Sequence, residues 1–112
     1  MTRSLRDEIP PGTLDVLILK TLARCGPKHG FEIAEWILQT SKEVLQVEEG
    51  SLYPALQRML MKGWLAAEWG RTADNRRARY YQVTRAGRKQ LEQELARFHR
   101  VFGAIARILE PA

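Results

Sequence analysis

Cysteine is almost missing from this sequence: Cys25 is the single one in 112 residues. A disulfide framework within the chain is therefore excluded, and the usage points to a reducing compartment. No apolar run approaches the ~18 residues that span a bilayer. The first eight residues lack the apolar stretch of a signal peptide. The expectation is a cytoplasmic chain without membrane association. Metal-ligand spacing is also lacking, because Cys25, His29 and His99 are scattered. No Gly-rich phosphate loop and no nucleophile–base pair can be read, so neither metal, cofactor nor catalysis is expected. Disorder is excluded in turn, since hydrophobic residues make up 45% of the chain. The length suits one domain, or one domain with an appended element.

What is present in excess is positive charge, and it is concentrated. Residues 1–70 hold 8 basic and 9 acidic side chains, residues 71–89 hold 7 and 1, and residues 90–112 hold 3 and 3. The whole +5 of the chain thus traces to one 19-residue stretch. A patch of that kind suits a polyanion, with a solvated Arg-rich loop as the plainer alternative.

Hydrophobic spacing predicts four helices. Thr13 can cap a first helix carrying Leu14, Leu17, Ile18, Thr21, Leu22 and Cys25 on one face, with Gly26-Pro27 as its stop. Val16 and Leu19 add a second apolar face, so this helix needs cover on two sides. Cys25 reads as a core thiol. His29-Gly30 opens a second helix with Ile33, Ala34, Ile37 and Leu38 inward and Glu32, Glu35 and Gln39 toward water. Trp36 lies off that stripe and is expected to pack against the last helix or to line an effector site. Thr40 to Val47 reads as a polar connection. Ser51 is the expected N-cap of a third helix, which places Pro54 in its first turn, where a missing N–H costs little. Leu52, Leu56, Met59 and Leu60 form its buried stripe, and Gly63 its left-handed end.

Two aromatic and β-branched runs, 64–69 and 78–84, flank a polar segment over 70–77 and predict a β-hairpin with a long basic tip. Trp64 and Trp69, five apart, fall on opposite faces of its first strand. Thr84 caps a final helix that Pro111 ends. In that helix Leu91, Leu95, Phe98, Phe102, Ile105 and Leu109 recur at intervals of 4, 3, 4, 3 and 4. A seam of that length asks for a partner helix. The same helix of a second copy is the simplest one; a helix folded back on its own domain is the alternative. Leu14 is expected to join the dimer interface.

Three helices followed by a basic hairpin is the element order of a winged helix-turn-helix. The predicted fold is mainly α with a small β-hairpin, divided into a polar lead-in (1–10), a winged helix-turn-helix (11–84) and a long C-terminal dimerisation helix (85–112). Opposite its apolar stripe the third helix, 51–62, carries Ser51, Pro54, Gln57, Arg58 and Met61, with Tyr53 beside them. Gln57 and Arg58 have the fork geometry for base edges, and Ser51 with the free helix-start N–H groups suits a phosphate. His29 suits a turn or a phosphate contact. Arg71, Asn75, Arg76, Arg77 and Arg79 suit the backbone or minor groove beside the reading helix, which makes double-stranded DNA the expected partner. A winged-helix module for protein assembly, its basic wing incidental, is the competing reading.

The segments Pro11–Leu19, His29-Gly30-Phe31-Glu32-Ile33, Glu49-Gly50-Ser51-Leu52-Tyr53-Pro54-Ala55-Leu56, Lys62-Gly63-Trp64-Leu65 and Arg77–Gly87 closely resemble the PadR-like family of bacterial transcriptional regulators. The resemblance covers about residues 10–90, and its Ser-Leu-Tyr-Pro-Ala-Leu and Arg-Tyr-Tyr-Gln-Val-Thr blocks are specific in combination. It implies a homodimeric repressor on a palindromic operator, with Tyr53 among the DNA contacts and the single C-terminal helix, as in short members, as the dimerisation element. It also implies a small aromatic effector as a candidate ligand. Some short members hold such molecules between subunits in a pore lined by a tryptophan of that helix. Here no tryptophan follows Trp69, and Phe98 and Phe102 occupy the helix.

Overall fold

The computed structural model describes residues 7–10 and 12–111. Of the expected lead-in over 1–10, residues 1–6 lie outside the described residues, as does Pro11. The order of elements is β1 (Asp7–Glu8), α1 (Leu14–Cys25), β2 (Lys28–His29), α2 (Gly30–Thr40), β3 (Leu45–Gln46), α3 (Glu49–Met61), β4 (Leu65–Arg71), β5 (Arg77–Val83) and α4 (Arg85–Leu109). No helix among the described residues is long and apolar enough to cross a membrane.

α1 is the centre of the molecule. Its Val16, Ile18, Leu19, Thr21 and Leu22 are buried, and α2, α3, α4 and β5 all pack on it. The need for cover on two sides is thus met within one chain. Thr21 is fully buried without penalty because its hydroxyl donates to the Leu17 carbonyl at 2.7 Å. Thr13 stands at the N-cap position, but its hydroxyl turns back to the Pro10 carbonyl at 2.6 Å and caps no helical N–H. Cys25 is exposed, so the core-thiol expectation fails. The last turn of α1 runs out past the core before Gly26 turns the chain away at φ +83.

α2 begins with a capping box. The Glu32 N–H donates to His29 Nδ1 at 3.4 Å, and the His29 N–H donates to Glu32 Oε1 at 3.1 Å. Glu32 therefore serves the helix start instead of facing only water. Ile33 and Ile37 are buried, and Trp36 packs half-buried against the central core. The connection after α2 is less plain than its polarity suggests. Leu45–Gln46 pairs in parallel with Asp7–Glu8, and Val47 is buried.

α3 differs from expectation at its start. The helix begins at Glu49 with Glu48 as N-cap, and the Glu48 carbonyl accepts the Ser51 and Leu52 N–H groups at 3.0 and 2.9 Å. Ser51 is inside the first turn and caps nothing. Pro54 consequently falls in the second turn, where it removes the bond that residue 54 would make to the Gly50 carbonyl. The end is as predicted. Gly63 has φ +78, its N–H bonds to the Leu60 carbonyl at 3.0 Å and the Trp64 N–H to the Met59 carbonyl at 3.0 Å, a Schellman closure.

β4 and β5 form the hairpin in continuous register from Leu65↔Val83 to Arg71↔Arg77. The turn is therefore 72–76, shorter than the tip expected over 70–77, and Trp64 precedes the strand. Lys28–His29 adds a third strand on β5, giving the order β2-β5-β4. Thr84 links wing and α4: its Oγ1 accepts from the Gly87 N–H at 3.0 Å and its hydroxyl donates to the Gly63 carbonyl at 2.6 Å.

α4 is 25 residues, about 37 Å at 1.5 Å per residue. Its first half rests on the domain: Leu91 is 7% exposed in the core and Leu95 packs against it. Leu91 belongs to the chain's own core, not to a free interface as expected. Val101, Phe102, Ile105, Ile108 and Leu109 are exposed. They follow Phe98, whose ring stacks on Phe102 with centroids 4.3 Å apart.

Candidate nucleic-acid interface

Strand alternation divides the wing into two chemically different faces. Leu65, Ala67, Trp69 and Arg71 of β4 lie across from Val83, Tyr81, Arg79 and Arg77 of β5 on one face. Ala66, Glu68, Gly70, Ala78, Tyr80 and Gln82 make up the other. All three strand arginines are thus on the face whose inner end, at Leu65 and Tyr81, is buried in the core. The opposite face has no cation and one carboxylate, Glu68. Its Tyr80 ring lies over Gly70, where an added Cβ would come within 3.0 Å. Tyr80 meets the His29 ring edge-on at 5.4 Å and donates its hydroxyl to the Arg71 carbonyl at 3.1 Å. This packing stiffens the hairpin from the side away from the arginines.

The arginine face carries an exposed aromatic group. The Arg77 guanidinium sits 4.3 Å from the centre of the Trp69 ring, and that of Arg79 6.0 Å from the Tyr81 ring. At the tip, Arg71 donates to the Asn75 carbonyl at 3.2 Å, Asn75 adopts φ +62, and Arg76 pairs with Asp74 at 3.4 Å. The Arg76–Asp74 pair is open to water and worth little, so Arg76 remains available to another anion.

Tyr53 ties α3 to the start of α2. Its ring closes on Gly30, where an added Cβ would approach within 2.8 Å. Burial pushes its phenol above the ordinary range, and Glu49 and then Tyr81 push it in the same direction. It stays protonated at neutral pH and presents an O–H donor. Beyond Tyr53, the exposed side of α3 runs through Pro54, Gln57 and Met61. With Leu52, Ala55, Leu56 and Met59 buried, the 100° rotation per residue puts these three at the centre of the outward face. Ser51 and Arg58 are on the flank toward α1 and α4. There the Arg58 guanidinium is held by the Asp15 carboxylate of α1.

Tyr53, Pro54 and Gln57 thus share the outward side of α3, and Arg71, Arg77 and Arg79 share one face of the wing, with Asn75 and Arg76 at its tip. His29 is set apart: it caps α2 and packs on the wing face away from the arginines. Ser51 lies beside two carboxylates, Glu48 and Glu49, which oppose a phosphate at the start of α3. The sequence already puts Met61 on the outward face of α3, whereas Trp69 is not among the residues expected in the site. The signal for Trp69 is its place two residues before Arg71 in a strand, which aims both at one side.

A second surface lies between α1 and α4. A groove of about 240 Å³ is lined by Gly12, Thr13, Val16, Phe98, Val101, Phe102 and Ile105, with Glu94 and Arg97 at its edge. Among the described residues no group of three or more His, Cys, Asp or Glu could hold a metal ion.

Comparison with known proteins gives a consistent result. The family described as "Transcriptional regulator PadR-like family" matches residues 18–93. A solved transcriptional regulator from Clostridium thermocellum is 26% identical, with 88% of this chain and 95% of that one covered at a TM-score of 0.80. A PadR family regulator from Eggerthella lenta is 27% identical, over 90% and 85%, at 0.74. Bacillus subtilis PadR, solved in complex with operator DNA, is 21% identical over 77% of this chain and 48% of its own, at 0.66, and shares the fold.

Proposed function

The chain belongs to the PadR-like family of transcriptional regulators, and from that footing we propose that it is a homodimeric repressor of a palindromic operator, acting in the cytoplasm. α3, within the expected 51–62, enters the major groove, and the wing over 70–79 lies on the neighbouring backbone or minor groove. The observation that carries this reading is the gathering of Arg71, Arg77 and Arg79 on a single wing face, while α3 turns Tyr53, Pro54 and Gln57 outward. Gln57, at the centre of the α3 face, has the amide geometry for adenine. Arg58 reaches a base edge once it leaves Asp15. Tyr53 and the wing arginines, with Asn75 and Arg76, take phosphates or groove edges. Ser51 and His29 are outer contacts at most. The operator complex of Bacillus subtilis PadR supports the same use of a shared fold.

Dimerisation rests on α4. Its outer half exposes Phe102, Ile105 and Leu109 of the seam, together with Val101 and Ile108. An exposed apolar stripe of that length suits a second copy of the same helix, with Leu14 and Phe98 at the margin. The groove between α1 and α4 is also where a flat aromatic effector would lodge in the dimer, against Phe98 and Phe102. Selection of bound sequences from a random duplex pool at near-physiological salt tests the reading. Two inverted half-sites one or more helical turns apart are expected. A pool that stays random, or a single unpaired site, contradicts it.

A further inference from the structure

Trp69 is the large apolar side chain of the wing that the fold leaves open. With Arg77 stacked on it at 4.3 Å, the indole is still 59% exposed. Its cross-strand partner is Arg79, and Arg71 follows it on the same face. Burial does not account for it, because the core ends at Leu65 and Tyr81 on this face. The stack leaves both groups usable. The guanidinium keeps its charge and its donors, the ring restricts its rotamers, and less freedom is given up when it meets a ligand.

Resting on the reading above, we propose that Trp69 and Arg77 form a single minor-groove reader that selects A·T base pairs beside each half-site. The distances suit this. From Tyr81, at the buried inner end of the arginine face, to Arg77 the strand advances about 13 Å. An advance of that size matches the step from a major groove about 12 Å wide past one phosphate strand to the adjoining minor groove. A·T runs narrow that groove and deepen its negative potential, which draws in a guanidinium; the N2 amino group of a G·C pair obstructs it. The indole lies along the sugar wall and holds Arg77 in line. Arg71 and Arg79, on either side, take the phosphates.

The test uses the full chain and the operator found by selection, with the A·T pairs outside the reading-helix contacts kept, replaced by G·C, or replaced by inosine·C. Inosine·C shows the minor groove of A·T and the major groove of G·C. For the unaltered protein, G·C replacement is expected to weaken binding about tenfold, and inosine·C to restore it to within about twofold. Trp69→Ala binds all three duplexes alike, yet still separates the operator core from random DNA; Arg77→Lys, which keeps the charge and gives up the planar stack, does the same. Both side chains are exposed, and circular dichroism checks that each variant folds. The proposal is overturned if inosine·C binds as poorly as G·C, if Trp69→Ala keeps the A·T preference, or if selection returns half-sites without A·T beside them. Those results leave operator binding standing, whereas a pool with no half-site removes both readings.

Discussion

Gly87 sits where α4 crosses the start of the wing. A Cβ there would lie 2.1 Å from the Trp64 carbonyl oxygen and 2.8 Å from Val83 Cγ2. The first of these is backbone and cannot swing aside. Gly87→Ala is therefore expected to destabilise the fold by about 2–3 kcal/mol through overpacking, read as a lower urea midpoint with unchanged slope. An unaltered midpoint would contradict the close approach. Arg58 makes a different case. Its ion pair with Asp15 is half-exposed, so removing it changes stability by about 1 kcal/mol or less. In the proposed complex the pair must open before Arg58 reaches a base. Asp15→Asn is thus expected to tighten operator binding by a few-fold with little change in melting. Arg58→Ala is expected to relax base preference at one position of each half-site. If Arg58→Ala keeps full discrimination, Arg58 holds α3 to α1 and reads nothing.

At the level of elements, α4 has two unlike halves that its even heptad spacing does not separate. Leu91 and Leu95 close the domain core, and only from Phe98 onward is the seam open. Phe102→Glu with Ile105→Glu should therefore give folded monomers in sedimentation, because neither side chain supports the core. An intact dimer would refute the seam. The helices, the wing, the Thr84 cap and the Gly63 closure were legible because each rests on local pattern: apolar spacing, a hydroxyl before a helix, a glycine after one. What was not legible depends on tertiary geometry. Glu48, not Ser51, starts α3 because a backbone carbonyl closes the first turn, and no side-chain signal marks that. Lys28–His29 and Leu45–Gln46 become strands only because β5 and β1 lie beside them; two residues carry no period. Cys25 shares a helical stripe with Leu22 but projects beyond the core. The candidate interface was legible as a set of arginines, not as a face. Pairing in register puts Trp69 among them, and the ion pair with Asp15 holds Arg58 elsewhere.

For the whole molecule, charge and shape are segregated. The basic excess of residues 71–89 includes the one-sided wing face with Arg71, Arg77 and Arg79. The apolar excess is on the outer half of α4. In the proposed two-fold dimer joined by the second, two copies of the first would face one duplex. The most direct test is the salt dependence of operator binding for the unaltered protein and for Arg71→Ala/Arg77→Ala/Arg79→Ala. The slope of log affinity against log salt changes by about 0.9 for each phosphate that the variant leaves unneutralised. With three arginines on each of two wings, the account predicts a steep slope for the unaltered chain, reduced by several units in the variant. Equal slopes for the two proteins would contradict it.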